Sequence, residues 1–392
     1  MKKTIEVLAV LLTAAIVAQA REVTQAEEDD ELYEQRADNG IFNHMDVGVN
    51  VGTLGIGVEV GVPVGEYVRL RAGYNYMPSF TFHSNFSIDT RSGKYDRFID
   101  KVKSIDINSK MAEVGVDLND PKFSEYKALF DKFYQVELKD NVTMGMKPHL
   151  HQFKFLVDVM PFKRNKHWSF TAGFFAGPSD VANAYNLDSE TLLLEGVNAY
   201  NDLYVRYCQN GIAGNYHDRL TELFWDNGVA GVPLGRFADG KKAMMVPSAD
   251  GTVRAEMKVS KFRPYVGFGY NTHLSKDRKW NLNVDAGILI LCGAPSVYVD
   301  NVYKIDDSPI VFDENGNYVS GIGTDEDGNY YGDIIRFNQE TWEYEPTGDK
   351  LDHVDLVRDL DDIPGKVGSM VNTISKFKVF PNASVTFTYR LY

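Results

Sequence analysis

The most constraining feature of the sequence is a two-residue alternation that runs from Met45 to Phe82. Valine, isoleucine, leucine, alanine and tyrosine recur along one face, while the other face carries glycine, asparagine and charged residues such as Asp46, Glu59 and Arg71. A period of two predicts β-strands rather than a helix. Because ions and glycines share one face and apolar groups the other, the pattern indicates strands with lipid on one side and a narrow polar lumen on the other.

Further segments alternate in the same way, at residues 152–159, 168–177, 262–270, 280–291 and 383–392. The connections between the segments are short at residues 63–66, 161–167 and 271–279, and long at about 84–147, 178–254 and 293–376. Membrane barrels keep short turns on the periplasmic side and long loops outside. Short and long connections must therefore alternate along the chain. With a tight hairpin turn at Gly52–Gly55, this alternation gives eight strands. The predicted fold class is all-β: a transmembrane antiparallel β-barrel of eight strands with long, partly helical extracellular loops.

The N-terminal residues predict export. Lys2 and Lys3 precede an apolar run, and Ala18-Gln19-Ala20 has the small-x-small pattern of a signal-peptidase site, so residues 1–20 are predicted to be a signal peptide. Residues 21–44 are strongly acidic and predict a solvated periplasmic leader. The barrel with its insertions then occupies residues 45–392.

The charge of the chain excludes one class of partner. The formal net charge is −14, and the third insertion alone holds 18 acidic and 6 basic residues between Gly293 and Lys376. A chain of this charge is not expected to bind nucleic acid, because the phosphate backbone requires basic surface.

Several strand sequences resemble a known family. They are DVGVNVG at 46–52, LRAGYNYMP at 70–78, FRPYVGFGY at 262–270 and the terminal TFTYRLY at 386–392. These segments resemble small outer-membrane barrels of the OmpA and OmpX type, especially versions from the Bacteroidetes. The resemblance implies a place in the outer membrane of a Gram-negative bacterium, with extracellular loops. It also implies outer-membrane lipid and the barrel-insertion machinery as partners.

An eight-stranded barrel is only wide enough for its own side chains. The charged residues predicted to point inward are Asp46, Glu59, Asp158 and Asp285 with Arg69, Arg71, Lys154, Arg263 and Arg390. Because unpaired buried charge is costly, we expect these groups to pair into a network. The expected lumen is plugged, and a gated ion pathway through the same charges is the alternative.

The insertions carry local signals of structure. Asn119-Asp120-Pro121 and Asp188-Ser189 each precede apolar residues at helical spacing, which predicts two amphipathic helices. FDENGNYV at 312–319 and TDEDGNYYG at 324–332 form a near repeat whose Asn-Gly and Asp-Gly pairs indicate hairpin turns.

Two further features of the insertions concern metal and redox chemistry. The alternative explanation of the near repeat is a weak calcium site, since calcium favours clustered oxygen ligands; its residues are Asp313, Asn315, Asp325 and Asp327. No other cofactor is expected. Both cysteines, Cys208 and Cys292, fall on the outer side of the topology, so a disulfide between them is an expectation.

No constellation of catalytic residues stands out in the sequence. His83 and Ser84 faintly resemble the histidine and serine of outer-membrane lipid A deacylases, but adjacent strand residues point to opposite faces. We therefore expect a non-enzymatic barrel that binds an unknown extracellular ligand or has a structural role in the envelope.

A narrow porin-like channel and a lipid-modifying enzyme are the alternatives. Insertions that fold as one unit around a concave apolar pocket favour binding. Insertions that enter the barrel favour a plug or gate.

Overall fold

The computed structural model describes most of the barrel and of its insertions. The described residues are 42, 44–87, 100, 103–104, 106, 108–109, 112, 117–136, 141–163, 165–210, 229–276, 279–321, 323–324, 330–331, 335–338, 343–346 and 350–391. The predicted signal peptide, and all of the predicted leader except residues 42 and 44, lie outside these ranges.

The chain is predominantly β-structure. In chain order the strands are β1 (Asp46–Gly52), β2 (Gly55–Pro63), β3 (Val68–Tyr76), β4 (Phe82–Ser87), β5 (Asn141–Pro148), β6 (His151–Val159), β7 (Trp168–Ala176), β8 (Asp180–Asn186), β9 (Val232–Phe237), β10 (Lys242–Met245), β11 (Arg254–Lys258), β12 (Phe262–His273), β13 (Trp280–Ile290), β14 (Ser296–Val299), β15 (Val302–Ile305), β16 (Val311–Phe312), β17 (Tyr318–Ser320), β18 (Gly323–Thr324), β19 (Tyr330–Tyr331), β20 (Ile335–Asn338), β21 (Glu343–Pro346), β22 (Lys350–Leu351), β23 (Val354–Asp355), β24 (Leu360–Asp361) and β25 (Val379–Arg390). The helices are α1 (Ser124–Gln135), α2 (Thr191–Asn210) and α3 (Gly365–Ser375).

Eight of these strands close into an antiparallel barrel in the order β1-β2-β3-β6-β7-β12-β13-β25, and β25 pairs with β1 to complete the ring. The predicted fold class is confirmed. Among the described residues, no helix is long and apolar enough to cross a membrane.

The outer face of the barrel is apolar. Residues such as Val58 (57% exposed), Phe153 (66%) and Phe170 (60%) point away from the lumen on three different strands. A nine-residue strand such as β6, tilted by ~40°, rises about 23 Å, close to the ~25 Å apolar band of membrane barrels. The exposed apolar wall therefore spans a membrane.

Aromatic side chains line the rim that carries the short turns. Trp168 packs on Tyr270 and Trp280 on Tyr389, each pair with ring centroids 5.0 Å apart. Such rings favour the membrane–water interface because one end is apolar and the other polar.

The opposite rim continues into a second sheet. This sheet has six strands in the order β23-β14-β11-β8-β5-β4. Five of them, β4, β5, β8, β11 and β14, lie a few residues from β3, β6, β7, β12 and β13, and they keep the same lateral order. Part of the barrel wall therefore extends past the rim as an open sheet.

Backbone hydrogen bonds bridge the junction between barrel and sheet. The amide of Gly177 donates to the carbonyl oxygen of Lys261 at 3.0 Å. Two residues further along, the amide of Val259 donates to the carbonyl oxygen of Ser179 at 2.8 Å. The ladder between β7 and β12 thus passes into the ladder between β8 and β11 with its pairing maintained.

A five-stranded sheet, in the order β22-β15-β10-β9-β24, faces the six-stranded sheet. We call the two sheets together with α2 and α3 the lobe. Apolar residues from both sheets and from α3 form its core; the buried members are Leu234, Ala243, Val299, Val302, Val354, Leu356, Leu360 and Val371. The lobe is therefore folded around a hydrophobic core of its own.

Both predicted helices are observed. A short 3₁₀ turn, Pro121–Phe123, leads into α1, and the side chain of Asp120 caps it by accepting a hydrogen bond from the amide of Lys122 at 3.1 Å. A second 3₁₀ turn, Asp188–Glu190, leads into α2. The two helices contact each other, with Lys132 paired to Glu195 at 3.5 Å.

The acidic near repeat forms hairpins. Strand β16 pairs with β17 and β18 with β19. In the first hairpin the carboxylate of Asp313 accepts hydrogen bonds from the amides of Asn315 (2.9 Å) and Asn317 (2.8 Å). The side-chain hydrogen bond from Asn317 is the main reason that the pKa of Asp313 lies below its usual value. This carboxylate therefore closes the turn.

The five-stranded sheet depends on one glycine, which provides the first prediction. Gly235 in β9 has φ +105°, and a Cβ there would lie 2.2 Å from the carbonyl oxygen of Asp361 in β24. We expect Gly235→Ala to speed protease cleavage of the lobe several-fold, because the new methyl group displaces the β24 backbone as well as straining φ. Limited proteolysis followed by mass spectrometry measures this.

Gly240→Ala is the matched control for that change. Gly240 also has positive φ, at +82°, but nothing lies within 4 Å of the Cβ position. Equal cleavage rates for the two variants would contradict the argument from the clash.

Candidate functional site

The lumen of the barrel brings together six of the nine charged residues predicted to point inward. Arg69 and Arg71 come from β3, Lys154 and Asp158 from β6, Glu59 from β2 and Asp285 from β13. Alternation along these strands directs all six side chains inward. Three carboxylates thus face three cations in a space too narrow for bulk water.

Arg71 is the centre of this group and is 1% exposed. Its guanidinium donates to both carboxylate oxygens of Asp285 (2.8 and 2.9 Å) and to Asp158 (2.8 Å), and it lies 3.6 Å from Glu59. The planar fork of an arginine suits such bidentate contacts, whereas the single ammonium of a lysine does not. One side chain therefore links strands β2, β3, β6 and β13.

The other two cations of the group pair with carboxylates as well. Lys154 forms an ion pair with Glu59, and Arg69 pairs with Asp158 at 2.9 Å. Gly73 makes room for this packing, because a Cβ there would lie 2.9 Å from the side chains of both Glu59 and Lys154.

Three predicted lumen residues lie apart from this group. Arg390 contacts Asp46 at 3.4 Å, next to the short-turn rim. Arg263 is the exception to the expected pairing: its guanidinium donates to Gln152 and to the carbonyl oxygens of Ser260 and Pro178.

An apolar layer fills the part of the lumen next to the lobe. Leu54, Leu156, Phe175, Tyr265 and Leu289 are each 3% exposed or less and pack together. The predicted lumen did not include this layer, because the prediction rested on the inward-pointing charged residues alone. The same alternation places Leu156, Phe175, Tyr265 and Leu289 on the inward face.

The ionic group and the apolar layer leave little space. The cavity among the described lumen residues, lined by Arg71, Lys154 and Tyr265 among others, has a volume of about 10 Å³. That volume is close to the minimum that holds one water molecule. The described side chains therefore fill the lumen rather than lining a channel.

An apolar space lies between the two sheets of the lobe. It is a cavity of about 180 Å³. Its lining residues come mostly from β5, β8, β9, β10, β11, β14, α2 and α3, with Val253 and Leu356 directly beside β11 and β23: Val142, Met144, Met146, Ala182, Asn183, Ala184, Leu194, Val232, Leu234, Met245, Val253, Ala255, Glu256, Met257, Val297, Val299, Leu356, Val367, Met370, Val371 and Ile374.

The cavity exists because small residues occupy the middle of the six-stranded sheet. Ala182 and Ala184 in β8 lie beside Met257 and Ala255 in β11, on the face that meets the five-stranded sheet. Alanine cannot reach across the ~10 Å between packed sheets. Methionines such as Met370 border the space with flexible chains that adapt to an occupant.

The polar residues beside the cavity do not place their side chains inside it. Asn183 and Glu256 pair in register and alternate with the cavity-facing residues of β8 and β11, so their side chains point to the opposite face of the sheet. Glu256 contacts Lys258 at 3.0 Å, and this hydrogen bond raises the pKa of Lys258. The cavity therefore suits an uncharged apolar group.

The predicted metal and disulfide residues lie elsewhere. Asp313 and Asn315 belong to the closed hairpin turn, whereas Asp325 and Asp327 lie outside the described residues. Within the described part of the chain, no group of three or more histidine, cysteine or acidic residues is arranged to hold a metal. Cys292 is exposed, and the side chain of Cys208 lies outside the described part. Calcium binding and the disulfide stay predictions.

We compared the chain with known proteins and solved structures. No protein-family model and no curated protein matches the chain. Acinetobacter baumannii CarO2 is similar at 12% identity with a TM-score of 0.35, over 90% of this chain and 100% of that protein. Acinetobacter baumannii CarO is similar at 13% identity with a TM-score of 0.32, over 88% of this chain and 96% of that protein. At these values neither structure informs on the function of this chain.

The lumen geometry predicts unequal effects for two neighbouring arginines. Arg71→Met should destabilise the barrel by about 3–5 kcal/mol, because it leaves buried carboxylates without their shared cation. Arg69→Met should cost less, since Arg69 pairs with Asp158 alone and Arg71 still holds that carboxylate. Urea unfolding of the barrel in lipid bilayers, followed by tryptophan fluorescence, measures both. Equal losses for the two variants would refute the central role of Arg71.

The filled lumen also predicts that the barrel does not conduct ions. Purified protein inserted into planar bilayers should show no steady conductance steps, because the apolar layer and the ionic group together occupy the passage. Single-channel recording at both polarities checks this, with a large porin as the positive control. Reproducible steps from the wild-type protein would support the channel alternative.

Proposed function

We propose that this protein is an outer-membrane barrel whose lobe faces the cell exterior and binds small, uncharged apolar molecules. The cavity of about 180 Å³ between the sheets of the lobe is the observation that supports this most strongly. The membrane barrel serves to anchor and orient the lobe. The likeness of its strand sequences to OmpA- and OmpX-type barrels supports the choice of membrane.

The proposed orientation of the lobe is based on the usual topology of outer-membrane barrels. Their short turns lie on the periplasmic side and their long loops outside. All three insertions leave the rim opposite the short turns, so the lobe would meet molecules that arrive from the environment. A surface-binding role fits that position.

The volume and lining of the cavity limit the ligand. A dry apolar cavity of ~150 Å³ is large enough to bind benzene. A space of about 180 Å³ therefore suits a single aromatic ring or a short aliphatic chain. A charged ligand is disfavoured inside it, since every inward side chain is apolar and a bare charge would lose its hydration.

The alternative functions have less support. The filled lumen argues against a porin-like channel. For a lipid-modifying enzyme, His83 and Ser84 lie on β4, the edge strand of the six-stranded sheet, where alternation directs them to opposite faces. They are therefore not arranged as a base and its nucleophile.

Binding is tested with a small fluorinated ring and two matched leucine variants. Protein in lipid nanodiscs is titrated with fluorobenzene, and exchange with the bound state is followed by ¹⁹F saturation-transfer NMR. Ala255→Leu should weaken binding at least about tenfold, a loss of ~1.4 kcal/mol, because the added carbons occupy the cavity. The control Ala249→Leu makes the same change at an exposed alanine and should leave binding intact.

A second variant tests the cavity in the opposite direction. Met370→Ala removes a long side chain from the α3 wall and should let a fluorinated naphthalene bind. Partitioning into the nanodisc lipid is the same for all variants, so differences between them report on the protein. Identical titrations for wild type and Ala255→Leu would refute the proposed function.

A further inference from the structure

Arg263 is a buried cation with unusual partners. It lies at the lobe end of the lumen in β12 and is 2% exposed. Its three hydrogen bonds go to neutral oxygens: the side-chain oxygen of Gln152 (2.7 Å) and the carbonyl oxygens of Ser260 (2.8 Å) and Pro178 (2.6 Å). No carboxylate among the described residues pairs with it. Buried charges are normally paired with an opposite charge, so this arrangement calls for a counter-ion.

Gln152 supplies a second, independent observation. It is 1% exposed, and its oxygen is turned to Arg263. Its side-chain nitrogen Nε2 is therefore a buried donor, and no described residue accepts from it. Such a donor is costly to leave unsatisfied.

Arg263 and Gln152 together present unused hydrogen-bond donors at the lobe end of the lumen. A guanidinium has five N–H groups, and the described contacts use three of them. The remaining N–H groups and Nε2 of Gln152 need acceptor oxygens. The carboxylates of the lumen do not supply them, because Asp158, Asp285 and Glu59 are held by Arg71 and its neighbours.

We propose that Arg263 and Gln152 bind the carboxylate group of a small molecule at the junction of barrel and lobe. A carboxylate matches the planar fork of arginine and accepts charge-assisted hydrogen bonds. It would neutralise Arg263 as Asp158 and Asp285 neutralise Arg71.

The carboxylate has two possible sources. It is either a free small acid or the head group of a molecule whose apolar chain occupies the lobe cavity. The site itself does not depend on the cavity.

The test uses the melting of the folded barrel, read as the temperature at which the folded band is lost on a semi-native gel. The probes are sodium acetate, sodium octanoate and 1-octanol, added to the full chain in a non-ionic detergent. Wild type should melt several degrees higher with acetate than without it.

Gln152→Glu is the decisive variant. It places a carboxylate of nearly the same shape against Arg263, so it should melt higher than wild type without any probe and should not respond to acetate. General effects of salt act on both proteins alike, so the difference isolates the site. Arg263→Met should also lose the response; if that variant does not fold, Gln152→Glu decides alone.

The probes separate this proposal from the proposed function. A response to acetate but not to octanol supports the carboxylate site and counts against the cavity. A response to octanol but not to acetate supports the cavity and overturns the carboxylate site. A response to octanoate larger than those to acetate and octanol supports both sites and a single chain-bearing acid. The same acetate response in wild type and Gln152→Glu also overturns the proposal.

Discussion

The structure depends on neutralising charge inside a wall too narrow to hydrate it. Arg71 bonds to Asp158 and Asp285 and lies close to Glu59, so one guanidinium joins four strands of the barrel from within. Breaking a buried ion pair by removing one partner is costly. The ionic group therefore links β2, β3, β6 and β13 from inside the barrel.

The barrel also determines the position of the lobe. Because five strands of the six-stranded sheet keep the lateral order of the barrel strands they adjoin, the sheet continues the barrel wall past the rim. The five-stranded sheet then needs only to cover the apolar face that the wall presents. Hydrogen bonds at Gly177 and Val259 carry the ladder through the junction. This continuous ladder joins the wall of the lobe cavity directly to the wall of the barrel.

The barrel could be predicted from the sequence, whereas the lobe could not. Alternation over seven to twelve residues, as in β1 and β25, marks a membrane strand because one face meets lipid and the other a polar lumen. Strands such as β10 have four residues, and β24 pairs with β9 across more than a hundred residues of chain. Patterns that short do not distinguish strand from loop, and no local signal gives such distant partners. For Arg263, the alternation along the strand predicted that the side chain points inward. That no described carboxylate pairs with it could be seen only in the structure, because neighbours such as Gln152 and Pro178 come from distant parts of the chain.

The contrast between the filled lumen and the open lobe bears on function. Native interiors are packed nearly as tightly as organic crystals, and the cavity among the described lumen residues has a volume of about 10 Å³. The lobe instead keeps a space of about 180 Å³ beside Ala182, Ala184 and Ala255. The contrast between a filled barrel and a lobe that keeps alanines beside an apolar space is what the proposed binding role explains.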